Sequence, residues 1–234
     1  MNEVKKNGDD IKTIAEVMKN VIEQTDSLGK DVPVCFTELD SVYEELNESG
    51  LIVIASRPGR GKTSLALAMM RRIAIKKQIP AAFFSFDAEA SVIGLRLLKQ
   101  EAATSGELTD MTEAARKLSA APIYLDDTSP MSITDICERI KAIVLSKSVK
   151  TVFIDYLGLI QGDKDVPRQE QLTEIRKTLK NIGKELRIKI IVLEQISRES
   201  KNIQHEAETI SLEADSVLLL DVESGNPSIK IIKE

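Results

Sequence analysis

Tryptophan is absent from this chain, histidine occurs once and cysteine twice in 234 residues. A single histidine leaves almost no room for His-based catalysis. Cys35 and Cys137 stand far apart and lack metal-ligand spacing, so neither a disulfide framework nor a zinc site is expected, and the usage fits a reducing cytoplasm. No apolar run is long enough to span a bilayer and no signal peptide is read at the N-terminus, so no membrane partner is expected. A basic excess is lacking as well: 32 Lys and Arg against 37 Asp and Glu leave a net charge of −5. Any contact with nucleic acid must come from a local basic feature or from several copies acting together.

What is present is ample material for a core. With 42% hydrophobic and 29% charged residues, the chain can fold as one large domain, or as one domain with a small appendage. Residues 1–10 are polar and without periodicity, and disorder is expected there. Ile11, Ile14, Val17, Met18, Val21 and Ile22 recur at helical spacing, predicting an amphipathic helix that ends before Gly29. A Pro-containing connection over 29–33 sets it off from a main domain expected over 34–234. The helix is either docked locally on the core or an arm that docks on another subunit. A short helix is expected over 37–48, with Leu39, Val42, Tyr43 and Leu46 facing one way.

The next stretch organises everything after it. Leu51, Ile52, Val53, Ile54 and Ala55 run into a Gly/Pro-interrupted loop ending in Gly61, Lys62, Thr63 and Ser64, which opens an apolar helix. Strand, loop and helix in this order form a phosphate loop, because a tight turn at a helix N-terminus converges backbone N–H groups and the positive end of the dipole on a polyphosphate. Ser56, Arg57, Pro58, Gly59, Arg60, Gly61, Lys62, Thr63 and Ser64 are therefore the nucleotide-contacting candidates. Lys62 would charge-pair with the β- and γ-phosphates of ATP, and the Thr63 hydroxyl would hold Mg²⁺. Ser56 stands where the motif has its first glycine, at an expected cost in positive-φ freedom. A Gly-rich hairpin joining unrelated elements is the bland alternative, and the flanking strand and helix weigh against it.

Further strands are expected over 81–86, 122–125, 149–154 and 188–193, with a final pair over 216–220 and 229–232 about a turn at 223–227. Helices fall between them: two that run to about Leu118, the second opened by Asp110 and Glu113, and one from about Ser132 whose apolar face includes Cys137 as a core residue. A long one carries Leu172, Ile175, Leu179, Ile182 and Leu186. This alternation implies an α/β, three-layer fold with a mainly parallel sheet and an antiparallel edge. Asp87, Asp155 and Gln195 all stand at the carboxyl ends of expected strands, where such sheets place ligand chemistry. An apolar strand ending in Asp155, downstream of a phosphate loop, is the arrangement that holds a metal shell.

The runs Ala55–Thr63, Phe83–Asp87, Ile123–Thr128, Ile154–Leu157 and Glu194–Arg198 resemble the successive motifs of DnaB-type replicative DNA helicases, in order and spacing, across about residues 11–233. Glu213, Ala214 and Asp215 extend the likeness. The resemblance implies a RecA-like motor domain, homo-oligomeric assembly as a hexameric ring or filament, and ATP hydrolysis between subunits that drives translocation on single-stranded DNA. A helicase loader or a primase is the further partner it suggests. It also implies that the leading helix is a linker docking on the neighbouring motor domain, that Lys62 and Thr63 bind phosphate and metal, that Asp155 is the Walker B acid, and that Gln195 senses the γ-phosphate.

Three departures qualify the expectation. Asp87 takes the place of the glutamate that orients the attacking water, and its carboxylate stands one methylene short, which predicts weak hydrolysis. Glu89 is near, but points elsewhere from a regular strand end. The polar stretch 197–209, resembling a DNA-binding loop, sets Glu199, Glu206 and Glu208 against Arg198 and Lys201, less basic than phosphate binding favours. The sequence stops at Glu234, where the family carries the Lys and Arg that reach into the neighbouring site; a piece of a longer chain and a specialised paralogue both fit. The alternative to a motor is a catalytically weak regulatory or assembly protein that joins a helicase ring without unwinding DNA.

Overall fold

Leu51–Ala55, Val152–Ile154 and Ile190–Leu193 are continuous apolar runs, and a strand apolar on both faces has to be covered on both. All of these side chains are fully buried. The computed structural model describes residues 11–22, 50–104, 111–128, 132–162, 165–200, 202–223 and 226–233. Residues 1–10, the 29–33 connection, the short helix expected over 37–48, Cys35, Asp110, and Ser224 and Gly225 of the last turn lie outside the described residues.

In chain order the elements are β1 (Lys12–Thr13), α1 (Ile14–Ile22), β2 (Gly50–Ser56), α2 (Lys62–Lys76), β3 (Ala81–Ser85), α3 (Ala90–Ala103), α4 (Met111–Ser119), β4 (Ile123–Asp126), α5 (Ile133–Lys147), β5 (Thr151–Asp155), α6 (Arg168–Leu186), β6 (Lys189–Gln195), α7 (Ile203–Ser211), β7 (Ser216–Glu223) and β8 (Asn226–Lys233). The strands form one eight-stranded sheet in the order β1-β4-β3-β5-β6-β2-β7-β8. Pairing is parallel throughout except at the two edges, where β1 and β8 run antiparallel. The expected three-layer, mainly parallel architecture is therefore present. One face packs on α1 to α4 and the other on α5 to α7, each with its own apolar core. Among the described residues no helix is long and apolar enough to cross a membrane.

The leading helix begins at Ile14, three residues later than its periodicity suggests, because Thr13 and Glu16 close a capping box. The Glu16 carboxylate accepts from the Thr13 N–H at 2.7 Å, and Thr13 Oγ1 accepts from the Glu16 N–H at 3.3 Å. Lys12 and Thr13 are thereby left extended and pair with Leu125 and Tyr124 of β4. The stripe Ile14, Val17, Met18 and Val21 is buried against α3 and α4 of the same chain. Close approach depends on Gly94, where a Cβ would lie 2.5 Å from Val17 Cγ1.

Two other expectations change. The polar stretch over 197–209 is not all loop, since α7 occupies its second half: Asn202 caps the helix by accepting from the His205 N–H at 3.1 Å, and Ala207 and Ile210 are buried. Cys137 is half-buried at the margin of its core.

Candidate functional site

β2 lies between β6 and β7, yet the chain leaving it continues through α2 to β3, beyond β6 and β5. Such a reversal of direction opens a crevice at the carboxyl ends of the strands. The loop after β2 fills it. Gly59 and Gly61 have φ of 72° and 90°, a left-handed backbone open to glycine at little cost, and Gly61 is the residue from which α2 starts. Ser56 does not carry the expected positive φ. It ends β2 and is fully buried, so what this position requires is a small side chain.

A cavity of about 390 Å³ stands over the loop, lined by Pro58, Gly59, Gly61, Lys62, Thr63, Ser64, Asp87, Asp155 and Gln195, among others. Side chains far apart in sequence are thus brought to one place from the ends of β2, β3, β5 and β6. Thr63 Oγ1 donates to Asp155 Oδ2 at 2.7 Å. Lys62 Nζ reaches back over the loop to Ser56 Oγ at 3.2 Å and to the Ser56 and Arg57 carbonyls at 3.3 and 3.4 Å. Ser56, Arg57 and Arg60 do not line the cavity: Ser56 is fully buried, Arg60 is exposed, and Arg57 Nη2 donates instead to the Ser200 carbonyl at 3.0 Å. Glu89 is exposed beside the start of α3 and does not line it either.

The charges of the cavity are under tension. Burial pushes the Asp155 carboxyl above its ordinary range, opposed by the Thr63 hydrogen bond and reinforced by the Asp87 charge, while Lys62 and Arg96 pull the other way. Burial likewise lowers the Lys62 ammonium, opposed by Asp155. An anion at Lys62 and a cation at Asp155 would relieve both.

The DnaB-like helicase C-terminal domain model matches residues 31–221. The chain belongs to this family. It is 34% identical over 218 residues to the replicative DNA helicase DnaB of Leifsonia xyli subsp. xyli, a match that covers 83% of this chain and 47% of that protein. To the replicative DNA helicase DnaB of Treponema pallidum it is 33% identical over 205 residues, covering 80% and 46%. The chain spans about half the length of these curated relatives. Among solved structures, one ATPase domain is similar with a TM-score of 0.69 at 22% identity, over 92% of this chain and 88% of that one. A DnaB-like replicative helicase, solved for its interactions with primase, gives 0.65 at 21% identity, over 92% and 61%. These likenesses show the RecA-like P-loop ATPase fold, and membership of a P-loop ATPase helicase family implies nucleotide binding.

This DnaB-like domain also contains site residues that the sequence pattern does not single out. Arg96, Lys99 and Gln100 of α3 line the same cavity, as does Tyr156 after β5. Gln100 Nε2 donates to the Ser64 carbonyl at 3.0 Å and so ties α3 to the first turn of α2. Spacing of three and four residues puts Arg96, Lys99 and Gln100 on one helical face, but nothing local to α3 says which way that face turns.

Proposed function

We propose that this domain binds ATP with Mg²⁺ and hydrolyses it as the motor part of a replicative helicase, coupling turnover to movement on single-stranded DNA. The observation that carries the reading is the meeting of Lys62, Thr63, Asp87, Asp155 and Gln195 in one cavity. The backbone of 59–63 and Lys62 take the β- and γ-phosphates, and Arg96 and Lys99 add positive charge to the same cavity. Among the described residues no group of three or more His, Cys, Asp or Glu side chains could hold a metal. A hard cation that keeps water and phosphate oxygens as ligands suits the oxygen pair of Thr63 and Asp155, and Mg²⁺ is such an ion. When bound, it neutralises charge that develops on the phosphates.

Asp87 orients the attacking water and takes its proton as the oxygen bonds to the γ-phosphorus, while ADP leaves. Its short side chain holds the carboxylate back from the nucleophile, so turnover by this chain is slow. Gln195 contacts the γ-phosphate and passes its presence to residues 196–200, which face DNA. Copies of the chain assemble head to tail as a ring or filament, and a loader or primase engages that assembly. Calorimetry tests the site: Mg·ATP and ADP bind the parent chain, and Lys62→Ala abolishes this. Equal affinity in the variant would remove the assignment.

A further inference from the structure

Glu194 and Glu213 flank a single excursion of the chain. After β6 the chain passes through residues 196–200 and α7 before it returns to β7. One side chain, Arg176 of α6, holds both ends. Its Nη1 donates to Glu194 Oε1 at 2.8 Å, and its Nε and Nη2 both reach Glu213 Oε2 at 3.2 Å; Nη2 is also 3.2 Å from Thr173 Oγ1. Arg176 is among the largest fully buried side chains, at 1% exposure.

As a stabilising device this cluster is poorly chosen. Two carboxylates share one cation inside an apolar face, and Glu194 Oε2 is buried without a partner. A buried ion cluster of this kind is commonly replaced by apolar side chains without loss of stability. Its gain is in geometry, since a planar guanidinium fixes the separation and angle of the groups that it bridges, which a lysine cannot do.

The excursion so anchored is the one that meets the nucleotide site. Gln195, covalently next to Glu194, lines the cavity. The Ile196 N–H donates to the Ser56 carbonyl at 2.9 Å, and Arg57 Nη2 donates to the Ser200 carbonyl at 3.0 Å, so the phosphate loop grips the same segment from the other side. We propose that Arg176, with Glu194 and Glu213, is a positioning clasp that fixes the two ends of the excursion between β6 and β7, so that contact made at Gln195 and the phosphate loop reorders residues 196–200. The two ends stay still while residues 196–200 respond. This rests on the reading of Gln195 as a γ-phosphate contact.

Hydrogen exchange on the full chain, with and without a non-hydrolysable ATP analogue and Mg²⁺, tests it. The parent gains protection over 196–200 on binding. Arg176→Lys, which keeps the charge and loses the fork, exchanges at least tenfold faster between β6 and β7 without ligand and loses the ligand-dependent gain, while calorimetric affinity for the analogue changes less than twofold. The triple variant Arg176→Met, Glu194→Leu, Glu213→Leu keeps the parent melting temperature and shows the same loss of response. Gln195→Ala keeps the basal protection and loses the response.

Parent-like exchange between β6 and β7 in Arg176→Lys overturns the clasp, as does a retained response in the triple variant. Faster exchange spread evenly over the whole sheet makes Arg176 merely structural, and also overturns it. If Gln195→Ala responds like the parent, the sensor reading fails, and the basal exchange of Arg176→Lys decides the clasp separately.

Discussion

Asp155 has a folded-state carboxyl held above its ordinary range by burial, so the folded chain keeps that proton to higher pH than the unfolded chain does. The folded state then binds more protons across that window, and the contribution of Asp155 to stability falls as pH rises through it. Asp155→Asn removes this titration. Its melting temperature should lie closest to the parent's near pH 4 and exceed it by a growing margin towards about pH 7, and an advantage that shrinks as pH rises would mean the carboxylate is not the cause. Asp87 makes the complementary case for catalysis. It lines the cavity, yet a group misplaced by about an ångström can cost on the order of 100-fold in rate. Asp87→Glu should therefore raise ATP turnover at least tenfold with little change in KM, as read by steady-state phosphate release. A variant no faster than the parent would show that Asp87 is not the residue that orients water.

α1 illustrates how an element with a weak local address finds a definite seat. Its nine residues are too few for a stable isolated helix, and packing supplies what propensity does not. The Thr13–Glu16 box sets where it starts, β1 pins the preceding residues to the sheet edge, and Lys12 holds Asp127 through both carboxylate oxygens at 2.8 and 2.9 Å. Gly94 then admits Val17. Gly94→Val should overpack this contact at a cost of about 1–3 kcal/mol and release α1 while the sheet stays folded. Faster proteolysis and amide exchange confined to 12–22 would report it; unchanged protection there would mean that α1 is seated by its other contacts.

The assembled molecule raises a question that α1 alone does not answer. Within one chain its stripe is buried on α3 and α4, and the same groove on a neighbouring copy offers identical contacts. Residues 23–49 separate α1 from β2 in the sequence. Exchange of α1 between copies would keep its contacts and be set by concentration, the usual logic of head-to-tail assembly. Fully burying an aliphatic side chain is worth about 1.5–3 kcal/mol, so four such residues are enough to matter. The full chain is expected to self-associate as concentration rises, and a version beginning at Val32 to do so much less. Light scattering across a dilution series checks this, and equal association of the two would place the contact between copies elsewhere.

Patterns that repeat within a few residues are legible in the sequence by itself. The apolar run into Gly61, Lys62 and Thr63, the strands that lead to Asp87, Asp155 and Gln195, and the alternation that makes a parallel sheet are local signals, and the fold has each of them where the pattern places it. β1 is not readable, because two residues have no periodicity, and α7 is hidden because its polar positions outweigh Ala207 and Ile210 in the pattern. Arg96 on the cavity wall and Arg176 between Glu194 and Glu213 are equally hidden. In sequence each is one more cation on a helix. Whether such a group meets solvent, a phosphate or a buried carboxylate depends on how the helix is rotated against the sheet, and that is set by the packing of two apolar cores assembled from the whole chain.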